Sequence, residues 1–223
     1  LVRSRGLGDV YKRQVYNLTT NTFSDGATSF YHKAIGGYHA AKLGRYQELI
    51  EHQISKGNEQ VLNMLNAKYY IVPGENRQPQ AHLNPDALGN GWFVEEIKWV
   101  NNANEEMSAL DHFDPSKTAV IDKRFSSIFD TQNISADSTA SVKLTSYNPE
   151  ELRYAVSSQK GGVVVFSEIY YPHGWKATVD GIETPIARTD YVLRAIYVPA
   201  GNHEVIMSFE PTSIQVTETI AWC

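Results

Sequence analysis

The residues of this chain whose types could do chemistry are seven histidines, three adjacent pairs of acids and two clusters that mix rings with cations. His32, His39, His52, His82, His112, His173 and His203 are scattered, with no HxH, HExxH or His/carboxylate spacing that would hold a metal. They read as surface or hydrogen-bonding side chains. The acid pairs are Glu95-Glu96, Glu105-Glu106 and Glu150-Glu151. Neighbours on a strand point to opposite faces, so Glu95 and Glu96 cannot jointly flank one glycosidic bond, and the other pairs fall in solvated helix or turn contexts. There is no Gly-x-Ser-x-Gly elbow and no phosphate-cradling Gly-x-x-x-x-Gly-Lys-Ser/Thr, and Gly36-Gly37 is too short for a dinucleotide loop. No catalytic residue, metal or cofactor is expected.

Two clusters remain. The first is Tyr31-His32-Lys33, Gly36-Gly37-Tyr38-His39, then Lys42, Arg45 and Tyr46. Lys and Arg satisfy phosphate and rings stack on sugars, so this patch suits a membrane surface or a phosphate-bearing ligand. The competing reading is a diglycine that lets a loop approach a helix, with Tyr38 and Tyr46 in the core. The second cluster is Tyr170, Tyr171, His173 and Trp175 with Arg188, Asp190 and Arg194. Exposed rings at a sheet edge make a platform for a pyranose face, with Arg and Asp hydrogen-bonding its hydroxyls. In the competing reading Trp175 and Tyr191 cap a core while Arg188 and Asp190 pair across a turn, an interaction worth roughly 0–1 kcal/mol if exposed. The candidate substrate-binding residues are thus Tyr171, His173, Trp175, Arg188, Asp190, Tyr31, His32, Lys42 and Arg45, with the structural reading preferred in both clusters.

The elements that must position them follow from periodicity. Leu43, Tyr46, Ile50 and Ile54 recur at helical steps and Gly57 stops the run. A shorter helix is expected around Val61–Leu65 and a strand over Lys68–Val72, ending at Pro73-Gly74. Glu75–Asn90, rich in Pro, Gly and amides, reads as a loop and as the seam between subdomains. Trp92–Val100 is expected as a strand, and Asn102 with Glu105 three residues on starts a short helix that Asp114-Pro115 closes. Beyond it come short strands: Ser141–Ser146, an alternating run at Leu152, Tyr154 and Val156, Val163–Glu168 after a Gln159–Gly162 turn, and Lys176–Val179. Asp180-Gly181 supplies the tight turn that pairs Lys176–Val179 with Ile182–Ile186. Val192–Val198 and His203–Phe209 flank Pro199-Ala200-Gly201-Asn202 as a second hairpin. The fold class is therefore α+β, an N-terminal helical or mixed subdomain (15–90) followed by an antiparallel β-sandwich (91–217).

Composition narrows the class. Leu1–Gln14 has neither apolar period nor signal-peptide core and reads as a non-native scar joined to a truncated frame. Setting aside its four basic residues and one acidic residue moves the formal charge from −5 to −8. That balance argues against nucleic acid, which needs clustered Lys and Arg, and against anionic headgroups. No apolar run approaches the roughly 20 residues that cross a bilayer. Cys223 is the single cysteine, so no disulfide framework exists within the chain.

Several phrases resemble one family. YYPHGWKATVDG, TDYVLRAIYVPAGNHEV and SFEP, with the upstream phrases at Phe30–Ile54, Val61–Val72 and Gly89–Pro115, are similar in wording and order to the C-terminal extracytoplasmic module of the YfhO family. These are large multi-spanning bacterial membrane proteins related to the GT-C glycosyltransferases. The resemblance, from about Phe23 to Pro211, implies a domain outside the cytoplasmic membrane, anchored by its own membrane-spanning region. Such a domain assists engagement of a lipid-linked sugar donor or a cell-envelope acceptor and is not catalytic by itself. The family's catalytic acid lies in an early loop between membrane helices, which has no counterpart here. Through the family, residues 218–223 read as the truncated start of a membrane-proximal segment. Two alternatives stay open, an independent carbohydrate-binding sandwich and a purely structural envelope domain. The sandwich would need Trp175 and Tyr171 exposed and coplanar on a groove.

Overall fold

The computed structural model describes residues 14–37, 42–75, 78–129 and 134–211. Apart from Gln14, which stands in the first strand, the expected scar lies outside the described residues, as do Tyr38, His39 and residues 218–223. Strand takes 43% and helix 22%, so the molecule is mostly β. It divides into two compact units, Leu1–Gly89 and Asn90–Cys223.

The first unit contains β1 (Gln14–Asn17), α1 (Ala27–Tyr31), α2 (Gly44–His52), α3 (Glu59–Met64), β2 (Ala67–Pro73) and β3 (Pro79–Leu83). α2 buries Leu49 and Ile50 and continues as a 3-10 turn over Ile54–Lys56. Gly57 ends that turn in the left-handed region at φ 74°, where a Cβ would be strained. Asn58 then caps α3, its side chain accepting from the N–H groups of Gln60 and Val61. The Tyr46 hydroxyl donates to the Ile35 carbonyl, and burial raises its pKa. β2 pairs with β1 in parallel and with β3 antiparallel, so the helices share this unit with a three-stranded sheet. β3 lies inside the stretch expected to be a loop. All five of its residues are exposed, so it lacks the apolar alternation that announces a strand, and its proline sits at the first position of an edge strand, where no ladder donor is required.

The second unit comprises β4 (Gly91–Phe93), β5 (Glu96–Val100), α4 (Ala103–Ala109), β6 (Thr118–Asp122), α5 (Ser126–Phe129), β7 (Ser141–Asn148), β8 (Glu151–Ser158), β9 (Gly162–Ile169), β10 (Trp175–Val179), β11 (Ile182–Thr184), β12 (Ala187–Thr189), β13 (Leu193–Val198) and β14 (Gly201–Phe209). Five strands form one antiparallel sheet in the order β11-β10-β14-β8-β7, and six form another in the order β4-β9-β13-β12-β6-β5. A core of Leu152, Tyr154, Val156, Val164, Phe166, Ala177, Val179, Ile196, Val198, Val205 and Met207 draws side chains from both sheets, which gives a sandwich-like packing.

Three features depart from the expected antiparallel sandwich. β5 pairs with β6 in parallel, so the six-stranded sheet is mixed. The expected strand Trp92–Val100 is split, because β4 pairs with β9 at one edge of that sheet and β5 with β6 at the other. Only Val94-Glu95 separates β4 from β5, so the two edges are drawn together and the sheet curls. The third departure is the expected hairpin across Pro199–Asn202. β13 belongs to the six-stranded sheet and β14 to the five-stranded one, so the chain crosses between layers there. By contrast, β10 and β11 form the expected hairpin, Val179 opposite Ile182, with Asp180 and Gly181 at φ 50° and 82°. β9 is buried along its first six residues, both faces alike, which explains its unbroken apolar reading.

Candidate functional site

The segment joining β9 to β10 carries Tyr170, Tyr171, Pro172, His173 and Gly174. Gly174 has φ 88°, and a Cβ there would meet Phe209 at 2.8 Å, so only glycine lets the turn close against the end of β14. The turn projects Tyr171 outward, 39% exposed, edge-on to His173 at 5.4 Å between ring centroids. Beside it opens a cleft of about 160 Å³ lined by Tyr170, Tyr171, Trp175, Lys176, Glu183 and Arg194, with Pro172, Pro185 and Ile186 also in its wall.

Trp175 begins β10 and is half-buried. One face carries the Arg194 guanidinium at 3.9 Å, and Phe209 leans on the ring with centroids 5.4 Å apart. The ring therefore belongs in part to the core and is not a free platform. Arg194, on β13 beside an irregularity of the β9–β13 register, is 3% exposed. Its Nε donates to the Ile169 carbonyl at 3.0 Å and its Nη1 lies 3.7 Å from the Met207 sulfur. Burial pulls its pKa down from the usual arginine range. Lys176 pairs with Glu210 at 2.9 Å on the surface.

Arg188 and Asp190 do not line the cleft. Arg188, on β12, is buried and donates from Nη2 to Glu106 Oε2 at 3.1 Å, with its guanidinium 5.6 Å from the Phe125 ring. Glu106 Oε1 accepts the Tyr191 N–H at 3.1 Å, and Asp190 Oδ1 accepts the Val120 N–H at 2.7 Å. The expected Arg188–Asp190 pair is thus replaced by two separate contacts, one to α4 and one to β6. Asp190 and Tyr191 hold φ values of 48° and 72°, costly for side chains with a Cβ, and the carboxylates of Glu106 and Asp190 anchor the backbone on either side of that strain. Burial, the largest cause, pushes the Asp190 carboxyl up to about 7. The cluster is fully enclosed and works as a brace for the β12–β13 turn. The sequence pattern could not show this, because Glu106 lies more than 80 residues upstream and reads locally as half of a solvated acid pair.

The first cluster sits in the other unit. Tyr31, 61% exposed, stacks edge-on with the exposed Phe30 at the end of α1. His32 follows, its backbone N–H donating to the Thr28 carbonyl. Lys42 lies over the Phe23 ring at 5.6 Å, and Arg45 is half-buried on α2. Gly36 and Gly37 close against the Thr22 segment, where a Cβ on Gly36 would collide with the Thr22 carbonyl. The close approach is thus to the Thr22 turn and, at Gly37, to Ser29 on α1, where the expectation was an approach to the helix after Lys42.

Among the described residues no group of three or more His, Cys, Asp or Glu could hold a metal ion, and no helix is long and apolar enough to cross a membrane. Residues 130–221 match the family described as bacterial membrane protein YfhO. The resemblance carried by the C-terminal phrases is thereby borne out over that stretch, while the three upstream phrases precede it. Neither the curated proteins nor the solved structures contain a significant match.

Proposed function

Starting from residues 130–221 as a segment of the YfhO bacterial membrane protein family, we propose that the chain is a non-catalytic domain held outside the membrane-spanning part of such a protein, on its extracytoplasmic side. It assists a glycosyl transfer by engaging the carbohydrate of a lipid-linked donor or an envelope acceptor. The observation that carries this reading is the cleft beside the Tyr171 turn. Its exposed ring, half-buried indole and polar rim combine the apolar faces and directed hydrogen-bonding groups by which proteins hold pyranoses. The cleft also favours a ligand-engaging domain over a purely structural one, which needs no such opening. A role for Tyr31, His32, Lys42 and Arg45 at a phosphate-bearing ligand is a separate part of the proposal, located in the other unit.

The test is a glycan array of bacterial envelope oligosaccharides probed with the chain and with Tyr171→Ala. Binding by the parent chain, weakened about tenfold or more in the variant, is the expected outcome. Absence of binding to every envelope sugar, or binding indifferent to Tyr171, would remove the cleft from the function.

A further inference from the structure

We infer that the cleft beside Tyr171 is built for the anionic group of its ligand, a carboxylate or phosphate borne by a sugar, and that Arg194 receives it. This rests on the carbohydrate reading of the same cleft. Arg194 is 3% exposed, yet among the described residues no carboxylate lies within ion-pair distance of it. Its partners are one carbonyl, a thioether sulfur and the face of Trp175. A buried guanidinium with five donors and no ion-paired carboxylate is costly to keep, since desolvation is offset well only by a paired anion. A methionine-sized apolar side chain would fill the same space between Trp175 and Met207 without that cost. Arg194 instead stands among the residues that line the cleft, its guanidinium against the Trp175 ring.

The other charges facing this position do not supply the missing partner. Glu168 acts on Arg194 from beyond ion-pair distance. Lys176 on the rim is engaged by Glu210, and Glu183, across the cleft on β11, bears on Lys176. The planar fork of an arginine fits two oxygens of a carboxylate or phosphate side by side, and Trp175 fixes the plane in which that fork lies. Tyr171 and Tyr170 would then stand against the sugar ring beyond the charged group. A neutral hexose would leave the guanidinium without an ion-paired anion, so selectivity for acidic glycans follows from the geometry.

The experiment is a fluorescence titration of the Trp175 environment, backed by calorimetry. The chain, Arg194→Lys and Arg194→Met are titrated with oligogalacturonate, its neutral galactose counterpart, a hexose 1-phosphate and inorganic phosphate. The parent chain should bind the acidic sugars at least about tenfold more tightly than the neutral one, Arg194→Met should lose that preference, and Arg194→Lys should keep part of it. The stronger of the uronate and sugar-phosphate arms names the source of the anion. Arg194→Met should retain or raise the melting temperature, because it removes an unpaired buried charge. Equal binding of acidic and neutral sugars that ignores Arg194→Met overturns the inference and leaves the carbohydrate reading standing. Inorganic phosphate bound as tightly as the sugar phosphate supports the anion site and overturns the carbohydrate reading. A lowered melting temperature with acidic-sugar binding unchanged makes Arg194 a strut and overturns the inference, and no binding by any ligand overturns both.

Discussion

Asp190 is the residue whose environment departs furthest from what its type suggests. It is fully buried, sits at φ 48° and has its carboxyl pushed up to about 7, chiefly by burial, with Glu106 adding to the rise and the Val120 N–H opposing it. An unfolded aspartate titrates near pH 4. Between about pH 4 and 7 the folded chain therefore retains a proton that the unfolded chain has lost. Stability attributable to this group is full below about pH 4, falls as pH rises toward 7 and levels off above it. At about 1.36 kcal/mol per pKa unit the loss is on the order of a few kcal/mol. Asp190→Asn keeps an acceptor for the Val120 N–H, tolerates the left-handed backbone and cannot ionise. Urea unfolding at pH 5 and pH 7.5 should give free energies that converge in this variant, and an undiminished gap would assign the slope to another group. Of the residues singled out in the sequence, Tyr171, His173 and Trp175 do gather at one turn, because a Pro-x-Gly turn with flanking rings is a local device. Arg188 and Asp190 go elsewhere, because which charge a buried residue meets depends on partners far away in the chain.

At the scale of elements, the turn between β12 and β13 is secured from outside itself. α4 supplies Glu106, which accepts from both Arg188 and the Tyr191 backbone, and β6 supplies the Val120 N–H. Glu106→Ala leaves a buried cation and an orphaned N–H together. Its cost should be roughly 3–5 kcal/mol, read as a lowered urea midpoint. Adding Arg188→Met to Glu106→Ala should recover much of the loss, since no buried charge is then unpaired. If the double variant is no more stable than the single one, the brace does not work through that ion pair. The helices around Leu49 and Val61 and the β10–β11 hairpin were legible because caps, stops and an Asp-Gly turn act over a few residues. The Pro199–Asn202 crossing was not. A glycine-containing loop between two apolar strands looks the same whether it closes a hairpin or carries the chain to another sheet.

For the whole molecule, the apolar core shared by the two larger sheets is drawn entirely from the second unit. A fragment covering 90–211 should therefore fold alone, with a cooperative thermal transition and a near-ultraviolet signal from Trp92, Trp99 and Trp175. Retained secondary structure without that signal would show that the core needs the rest of the chain. Sequence alone was enough for the strand-rich class of the C-terminal part, for its family wording and for the turn on which the rings gather, since these rest on periodicity, turn chemistry and residue order. Tertiary structure alone decided which strands share a sheet, that β5 runs parallel to β6, and that Arg194 lies buried under Trp175 with no ion-paired carboxylate among the described residues while Arg188 is paired with Glu106. The physical reason is that strand pairing and the electrostatics of buried groups are set by residues distant in the chain, and no local window of sequence contains both partners.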